Sequence, residues 1–349
     1  MRGLLLPFSW IYGAGVTLRN LLFDIGIRRI HSVGVPVISV GNLSAGGVGK
    51  TPFVELVARL LTMKGRRIAI VSRGYKRRGT GTVVVSNGGV LCADADQAGD
   101  EPAQLAEKLK SVVVVVDERR VRGARYAIKK FGVDLILLDD GFQHRSIHRD
   151  LDVVLLPAEE VSSGERLLPA GNRREPLRSL RRADLIVLSR CADEADFHRL
   201  EKRLRTRIDR PTMAVRVKVR AVRRATTKFS IDLNGIKGKR VAAFSGIGNP
   251  ASFEETMRLL AVQIQEHLKF ADHHRYRPED LRLIEEAARR FGADYVLTTE
   301  KDLARLRGAS VGASDFLERY PVYYVEIEEE VIAGEEHLTE ALRRFRRNS

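Results

Sequence analysis

The chain has 349 residues, enough for two domains of ordinary size, each with its own core. With 44% hydrophobic and 30% charged residues it is a globular chain, and disorder is excluded. Two distant cysteines, Cys92 and Cys191, exclude a disulfide framework, while a net charge of +15 draws anionic partners: nucleic acid, phosphorylated small molecules or an anionic membrane surface.

The first element is apolar. Its uncharged run, Gly3 to Leu18, contains Pro7, Gly13 and Gly15. It falls short of the roughly 20 apolar residues of a spanning helix. As a helix it carries one stripe of Leu18, Leu21, Leu22 and Ile25 and another of Phe23, Ile27 and Ile30. Two readings stand side by side: a helix buried in the domain, or a membrane-surface helix over residues 1–30.

Buried strands and helices then alternate. Strands are expected at 35–42, 66–75, 111–117, 133–141, 151–157 and 183–189, with a hairpin around Asn87-Gly88-Gly89. Helices follow the first strand, open at Asp100 with Pro102 in the first turn, and run up to Phe131. Continuous Val, Ile and Leu strands separated by helices predict a parallel sheet covered on both faces. Residues 31–215 are expected to form this core domain and 216–349 a smaller C-terminal α/β domain, with the join inside the charged, less regular stretch 190–238. The smaller domain shows strands near 239–245, 293–299 and 321–327 and helices near 253–262 and 278–291.

Between the first strand and its helix lies Ser44-Ala45-Gly46-Gly47-Val48-Gly49-Lys50-Thr51. A strand, a Gly-rich turn and a helix opening Gly-Lys-Thr form a phosphate-binding loop of the P-loop NTPase kind. The glycines let backbone N–H groups turn onto phosphate oxygens, Lys50 reaches the terminal phosphates, and Thr51 offers a hydroxyl to Mg²⁺. Ser44 departs from the usual glycine at the first position. Asp139 and Asp140 close the strand VDLILLDD, where a metal-binding carboxylate is expected. ATP and Mg²⁺ are the cofactors implied. Asp100 reads alone as a helix cap, and Asp272-His273 as a surface loop.

Eight segments carry a resemblance in order along the chain: GNLSAGGVGKTP, SRGYKRR, AGDEP, LDDGFQHR, LLPAGNRREP, AFSGIGNPASF, FADHH and TTEKDL. They resemble the tetraacyldisaccharide 4′-kinase family of lipid A biosynthesis. The resemblance implies an ATP-dependent kinase that phosphorylates the 4′-hydroxyl of an acylated glucosamine disaccharide 1-phosphate to give lipid IVA. It implies a place at the cytoplasmic face of the inner membrane, peripheral or monotopic, with nucleotide and substrate meeting between two domains.

By the same resemblance Asp100 is the candidate base, assisted by Asp272 and His273, with Glu101 orienting the site. Gln143 and Glu175 join Thr51, Asp139 and Asp140 as metal-site residues, and His144 lines the cleft. Arg73, Arg120 and Arg174 are candidates to neutralise the transferring phosphoryl group or hold the 1-phosphate. A monomer is expected. Two other readings stay open: a nucleic-acid-stimulated P-loop ATPase, and a non-catalytic membrane-peripheral ATP sensor. The 6% aromatic content, with no basic stretch interleaved with stacking residues, weighs against nucleic acid.

Overall fold

A computed structural model describes residues 2–163, 166–227, 229–309 and 312–345. The helices are α1 (Leu6–Asp24), α2 (Lys50–Met63), α3 (Ala95–Ala98), α4 (Asp100–Lys108), α5 (Arg120–Phe131), α6 (Ala158–Ser162), α7 (Glu194–Arg205), α8 (Pro250–Leu259), α9 (Pro278–Arg290), α10 (Glu300–Ala309), α11 (Ala313–Arg319) and α12 (Glu335–Arg343). The strands are β1 (Val37–Asn42), β2 (Ile68–Ser72), β3 (Val83–Asn87), β4 (Val113–Val116), β5 (Leu135–Asp139), β6 (Leu151–Pro157), β7 (Leu185–Ser189), β8 (Thr212–Arg224), β9 (Ser230–Ile231), β10 (Arg240–Ser245), β11 (Gln263–Lys269), β12 (Tyr295–Thr299) and β13 (Val322–Ala333).

The chain divides into two compact units that are not contiguous in sequence. The larger holds Met1–Ala93, Leu105–Arg216 and Glu329–Ser349, and the smaller Asp94–Gln104 and Val217–Glu328. The chain leaves the larger unit along β8 and returns along β13. The segment carrying Asp100 thus groups with residues far beyond it in sequence.

In the larger unit the strand order is β8-β7-β6-β1-β5-β2-β4-β3, parallel except for the edge strand β3. The expected hairpin is reduced to β3 and an isolated Ser86–Leu91 bridge. Strands β1, β2, β4, β5, β6 and β7 are buried along their whole length, which is why they read as mostly apolar runs, broken only by buried polar residues such as Ser39 and Asp152. One face packs Ala69, Val71, Ile136 and Leu138 under Ala124 and Ala127 of α5. Farther along the same face, beyond β1, Val154, Leu156, Ile186 and Leu188 pack under Phe197, Leu200 and Leu204 of α7. Each of the buried Val, Leu, Ile and Phe side chains contributes about 2 kcal/mol, and each alanine less. Connections leave β1 toward β2 on one side, and β5 toward β6 on the other. The ends of β1 and β5 therefore flank the crevice where open α/β sheets hold ligands.

Stretch 190–238 is more ordered than its composition suggests, since it contains α7 and the 13-residue strand β8. Its charge sits on the exposed side of an amphipathic helix and at the alternate exposed positions of the strand, which hides both periodicities under polar residues. In the smaller unit the strand order is β11-β10-β12-β13-β8, with β9 on β8; β11, β10, β12 and β13 run parallel. Strand β11 has no apolar run, because its residues are mostly exposed or half-buried.

Helix α1 is docked on the unit through a few residues and leaves much of its apolar surface exposed. Ser9 and Phe23 are buried, while Phe8, Trp10, Ile11, Leu18 and Leu21 are exposed. Ser9 Oγ donates to Leu167 O at 2.9 Å, and the Tyr12 hydroxyl to Arg174 O at 3.1 Å. Among the described residues no helix is long and apolar enough to cross a membrane.

Candidate active site

Construction of the site in the larger unit begins with Gly41, one residue before the end of β1. A β-carbon there would lie 2.6 Å from Phe142, so only glycine lets the turn after β5 pass so close. That approach seats Gln143, whose Nε2 donates to Asn42 O at 2.8 Å. The phosphate loop follows, with Gly46 at φ +114° and Gly49 at φ +88°, and residues 45–47 exposed at its tip.

The segment Leu167–Pro176 is stitched to this loop. Ala45 N–H donates to Asn172 O at 2.7 Å, and Arg174 N–H to Leu43 O at 2.7 Å. Ser44 is buried, and its hydroxyl donates to Glu160 Oε2 at 2.6 Å while Arg173 also binds Glu160. The substitution at the loop's first position thus has a structural use. Arg190 adds a hydrogen bond to Gly47 O and pairs with Glu159 at 2.7 Å.

Lys50 Nζ lies 3.1 Å from Asn42 Oδ1 and 3.5 Å from Asp140 Oδ1. Arg174 Nη1 meets Asp140 Oδ2 at 2.9 Å. Burial raises the Asp140 carboxyl, but Lys50 and Arg174 outweigh it and hold it at about 2. Asp140 has φ +52°, a strained left-handed conformation for a non-glycine residue. Asp139 accepts from Ser72 Oγ at 2.8 Å.

Arg120 is 1% exposed, and its Nη1 donates to Asp117 O at 2.9 Å while its Nε has no hydrogen-bond partner. Burial lowers it to about 10 against the pull of Asp139 and Asp140. Burial, then the fields of Arg120 and the exposed Arg73, depress His144 to about 4, so its imidazole is neutral at pH 7.

Glu175 is fully buried and engaged elsewhere. Its oxygens meet Arg19 at 3.3 Å, Asn20 at 2.8 Å and Arg182 at 2.9 Å, tying α1 to the larger unit. Three arginines of the run RREPLRSLRR, Arg173, Arg174 and Arg182, face carboxylates. No group of three or more His, Cys, Asp or Glu side chains able to hold a metal forms among the described residues. Hard-oxygen donors are nevertheless present around the loop: the Asp140 carboxylate just after β5, the Thr51 hydroxyl in the first turn of α2, and Gln143 Oε1, a buried acceptor without a partner. That orphaned oxygen, an anionic carboxylate and a hydroxyl fit Mg²⁺.

The smaller unit holds a second constellation. Asp100 Oδ2 accepts from His273 Nδ1 at 2.7 Å and from Arg305 Nε at 2.8 Å. Burial raises this carboxyl, but the His273 and Arg305 hydrogen bonds and the Arg305 charge bring it to about 2. His273 sits at φ +63°, with its Nε2 3.7 Å from Asp272 Oδ2. Glu101 pairs with Lys301 at 2.8 Å. His274 stacks on Phe270 with centroids 4.7 Å apart and bonds Asp280 at 2.8 Å, a supporting role.

The structure therefore brings together Lys50, Asp140, Arg174 and Gln143 in one unit, and Asp100, Asp272 and His273 in the other. Sequence reasoning gave no role to Asn42, Glu160, Asp302, Arg305 or Glu329. Asn42 immediately precedes the loop, and Asp302 and Arg305 share a helix face three residues apart in TTEKDLAR, so each had a local signal. Glu329 had none: it is buried without a hydrogen-bond partner, where a β-carbon on Gly49 would stand 2.4 Å from its Oε1.

Comparison with known proteins gives a consistent picture. Residues 1–346 match the family model described as "LpxK: Tetraacyldisaccharide-1-P 4'-kinase". A tetraacyldisaccharide 4'-kinase of Aquifex aeolicus is 39% identical over 312 residues, covering 88% of this chain and 91% of the relative. One from Anaeromyxobacter sp. (strain K) is 40% identical over 334 residues, covering 95% and 87%. The crystal structure of "apo" form LpxK from Aquifex aeolicus in complex with ATP superposes with TM-score 0.76 at 35% identity, over 99% of each chain.

Proposed function

The chain belongs to the tetraacyldisaccharide-1-P 4'-kinase family of lipid A biosynthesis, and from that premise we propose how its own residues move a phosphoryl group. It is an ATP-dependent phosphotransferase acting on a hydroxyl of a lipid disaccharide phosphate. The observation that carries the residue roles is the pairing of Lys50 and Arg174 on Asp140 beside the phosphate loop.

Backbone N–H groups of residues 45–50 and the N-terminus of α2 cradle the phosphates of ATP. Lys50 and Arg174, set by Asn42 and Asp140, meet the charge that gathers on the γ-phosphoryl oxygens, and Arg120 adds a desolvated positive charge. Thr51, Asp140 and Gln143 would hold Mg²⁺, which supplies Lewis-acid neutralisation of phosphate charge when bound. Asp139 holds the site through Ser72, and Glu175 supports it from behind through α1.

The acceptor oxygen forms a bond to the γ-phosphorus, the bond from that phosphorus to the bridging oxygen breaks, and ADP leaves. The hydroxyl proton passes to the Asp100–His273 pair. Because His273 Nδ1 is committed to the Asp100 carboxylate, the geometry favours Nε2 as the receiving atom, with Asp100 as its orienting partner and Asp272 beside it. Thin-layer separation of products from labelled ATP and the acylated disaccharide 1-phosphate, in detergent with Mg²⁺, tests the activity. Absence of a phosphorylated lipid product removes it, and turnover of ATP stimulated only by nucleic acid supports the rival.

An acylated substrate resides in a membrane, and the exposed Phe8, Trp10, Ile11, Leu18 and Leu21 offer α1 a face for one. The adjacent Arg28 and Arg29 complement an anionic surface at about 1 kcal/mol each. This reading places the protein at the cytoplasmic face of the inner membrane without spanning it. Trp10→Glu with Ile11→Glu should abolish co-sedimentation with anionic vesicles while detergent-phase activity stays within about threefold. Unchanged sedimentation returns α1 to a purely structural role.

A further inference from the structure

In TTEKDLAR, Thr299 and Asp302 form the reciprocal start of α10. Asp302 N–H donates to Thr299 Oγ1 at 3.1 Å, and the Thr299 hydroxyl donates to Asp302 Oδ2 at 2.6 Å. That leaves Asp302 Oδ1, on a carboxylate with no exposed surface, for three other donors. Gly246 N–H, the Tyr276 hydroxyl and Arg305 Nη1 each reach it at 3.0 Å.

Arg305 is 7% exposed and uses every face of its guanidinium. Nη1 also donates to Gly246 O at 2.6 Å, while Nε and Nη2 close on Asp100 Oδ2 at 2.8 and 2.7 Å. Gly246 O accepts in turn from the backbone N–H of His273 at 3.0 Å. Asp302, Gly246, Arg305, Asp100 and His273 thus form one closed ring of hydrogen bonds.

We infer that Arg305, braced by Asp302, is a positioning residue that fixes the Asp100–His273 pair for proton transfer. The inference rests on the reading that this pair receives the hydroxyl proton. An arginine keeps its charge, so an Asp100 oxygen held by two guanidinium N–H groups stays a carboxylate acceptor. The same oxygen, which can only accept, lies 2.7 Å from His273 Nδ1, so that nitrogen carries the hydrogen and Nε2 is the acceptor nitrogen. The same guanidinium, through Gly246 O, anchors the backbone turn on which His273 holds its left-handed φ. No lysine reproduces this, because one ammonium lacks the planar fork that spans Asp100 and Gly246 together.

The other charges facing the pair are Asp272 at 3.7 Å and, one layer behind, Asp302. The Glu101–Lys301 pair lies on the same two helices, α4 and α10.

The test measures kcat, the KM for ATP and the imidazole ¹⁵N spectrum of the full chain in detergent. Variants are Arg305→Gln, Arg305→Lys, Asp302→Asn, Asp100→Asn and His273→Gln, the last also identifying the His273 signals. Arg305→Gln should lower kcat about 30-fold or more, with the KM for ATP within about threefold, and the Nδ1–H signature of His273 should be lost. Arg305→Lys should fold and still lose about tenfold in kcat, so it decides the matter if the glutamine variant does not fold. Asp302→Asn should fall between it and the unchanged chain. Wild-type kcat and an unchanged His273 spectrum in folded Arg305→Lys would overturn the inference. Full activity in Asp100→Asn and His273→Gln would instead remove the reading on which it rests.

Discussion

Two carboxylates, Asp140 in the larger unit and Asp100 in the smaller, are held at about 2 by the same device, cations that outweigh the effect of burial. Their surroundings differ. The partners of Asp140 are Lys50 and Arg174, long side chains on the rim of an exposed loop whose positive charge suits incoming phosphates better than one carboxylate. The partner of Asp100 is a buried arginine with its own buried carboxylate behind it. One site is a set of charges ready to exchange partners when a ligand arrives, and the other is a fixed frame. In both, the residue that departs from ordinary backbone geometry is at the chemistry: Asp140 at φ +52° and His273 at φ +63°.

The largest effect expected is on the exchangeable side. Lys50→Ala should reduce kcat/KM about 10³-fold, or about 4 kcal/mol, through lost stabilisation of phosphoryl charge. Initial rates over a range of ATP concentrations check this, and near-normal turnover would separate the loop from the chemistry. On the fixed side, Asp100→Asn should lower kcat about 10²-fold with the KM for ATP nearly unchanged. A change confined to the KM for ATP would make Asp100 only the start of α4.

A smaller effect concerns Glu329, which neither cluster uses. Burial pushes its carboxyl up to about 8, against a weak pull from Arg190. The folded chain therefore binds a proton at Glu329 between its ordinary 4.5 and about 8 that the unfolded chain releases. Its contribution is full below about 4.5 and is lost as pH rises through about 8. Glu329→Gln should leave stability near pH 5 almost unchanged and flatten the decline toward pH 9, as read by urea unfolding. Parallel pH profiles for the two proteins would show that Glu329 is not protonated beside the loop.

The strands of the larger unit were legible because parallel strands buried on both faces are apolar at most positions. The phosphate loop was legible because its glycines, Lys50 and Thr51 are contiguous. Strands β8 and β11 were not legible, since exposed alternate positions carry polar residues and break the run. The same distinction holds within the sites. LDDGFQHR placed Asp140 at a strand end, but nothing local says that Arg174 closes on it.

What the sequence determined by itself is the set of local constraints: the Gly-rich turn after β1, the acidic end of β5, the apolar faces of α1 and the ordered series of segments shared with the kinase family. Tertiary structure alone decided which distant groups meet. It drew Asp100 toward His273 and Arg305, 173 and 205 residues away, and turned Glu175 inward onto α1. The reason is physical. Periodicity and turn chemistry act over a few residues, whereas the partner of a buried charge is chosen by whichever elements the packed core brings within about 3 Å.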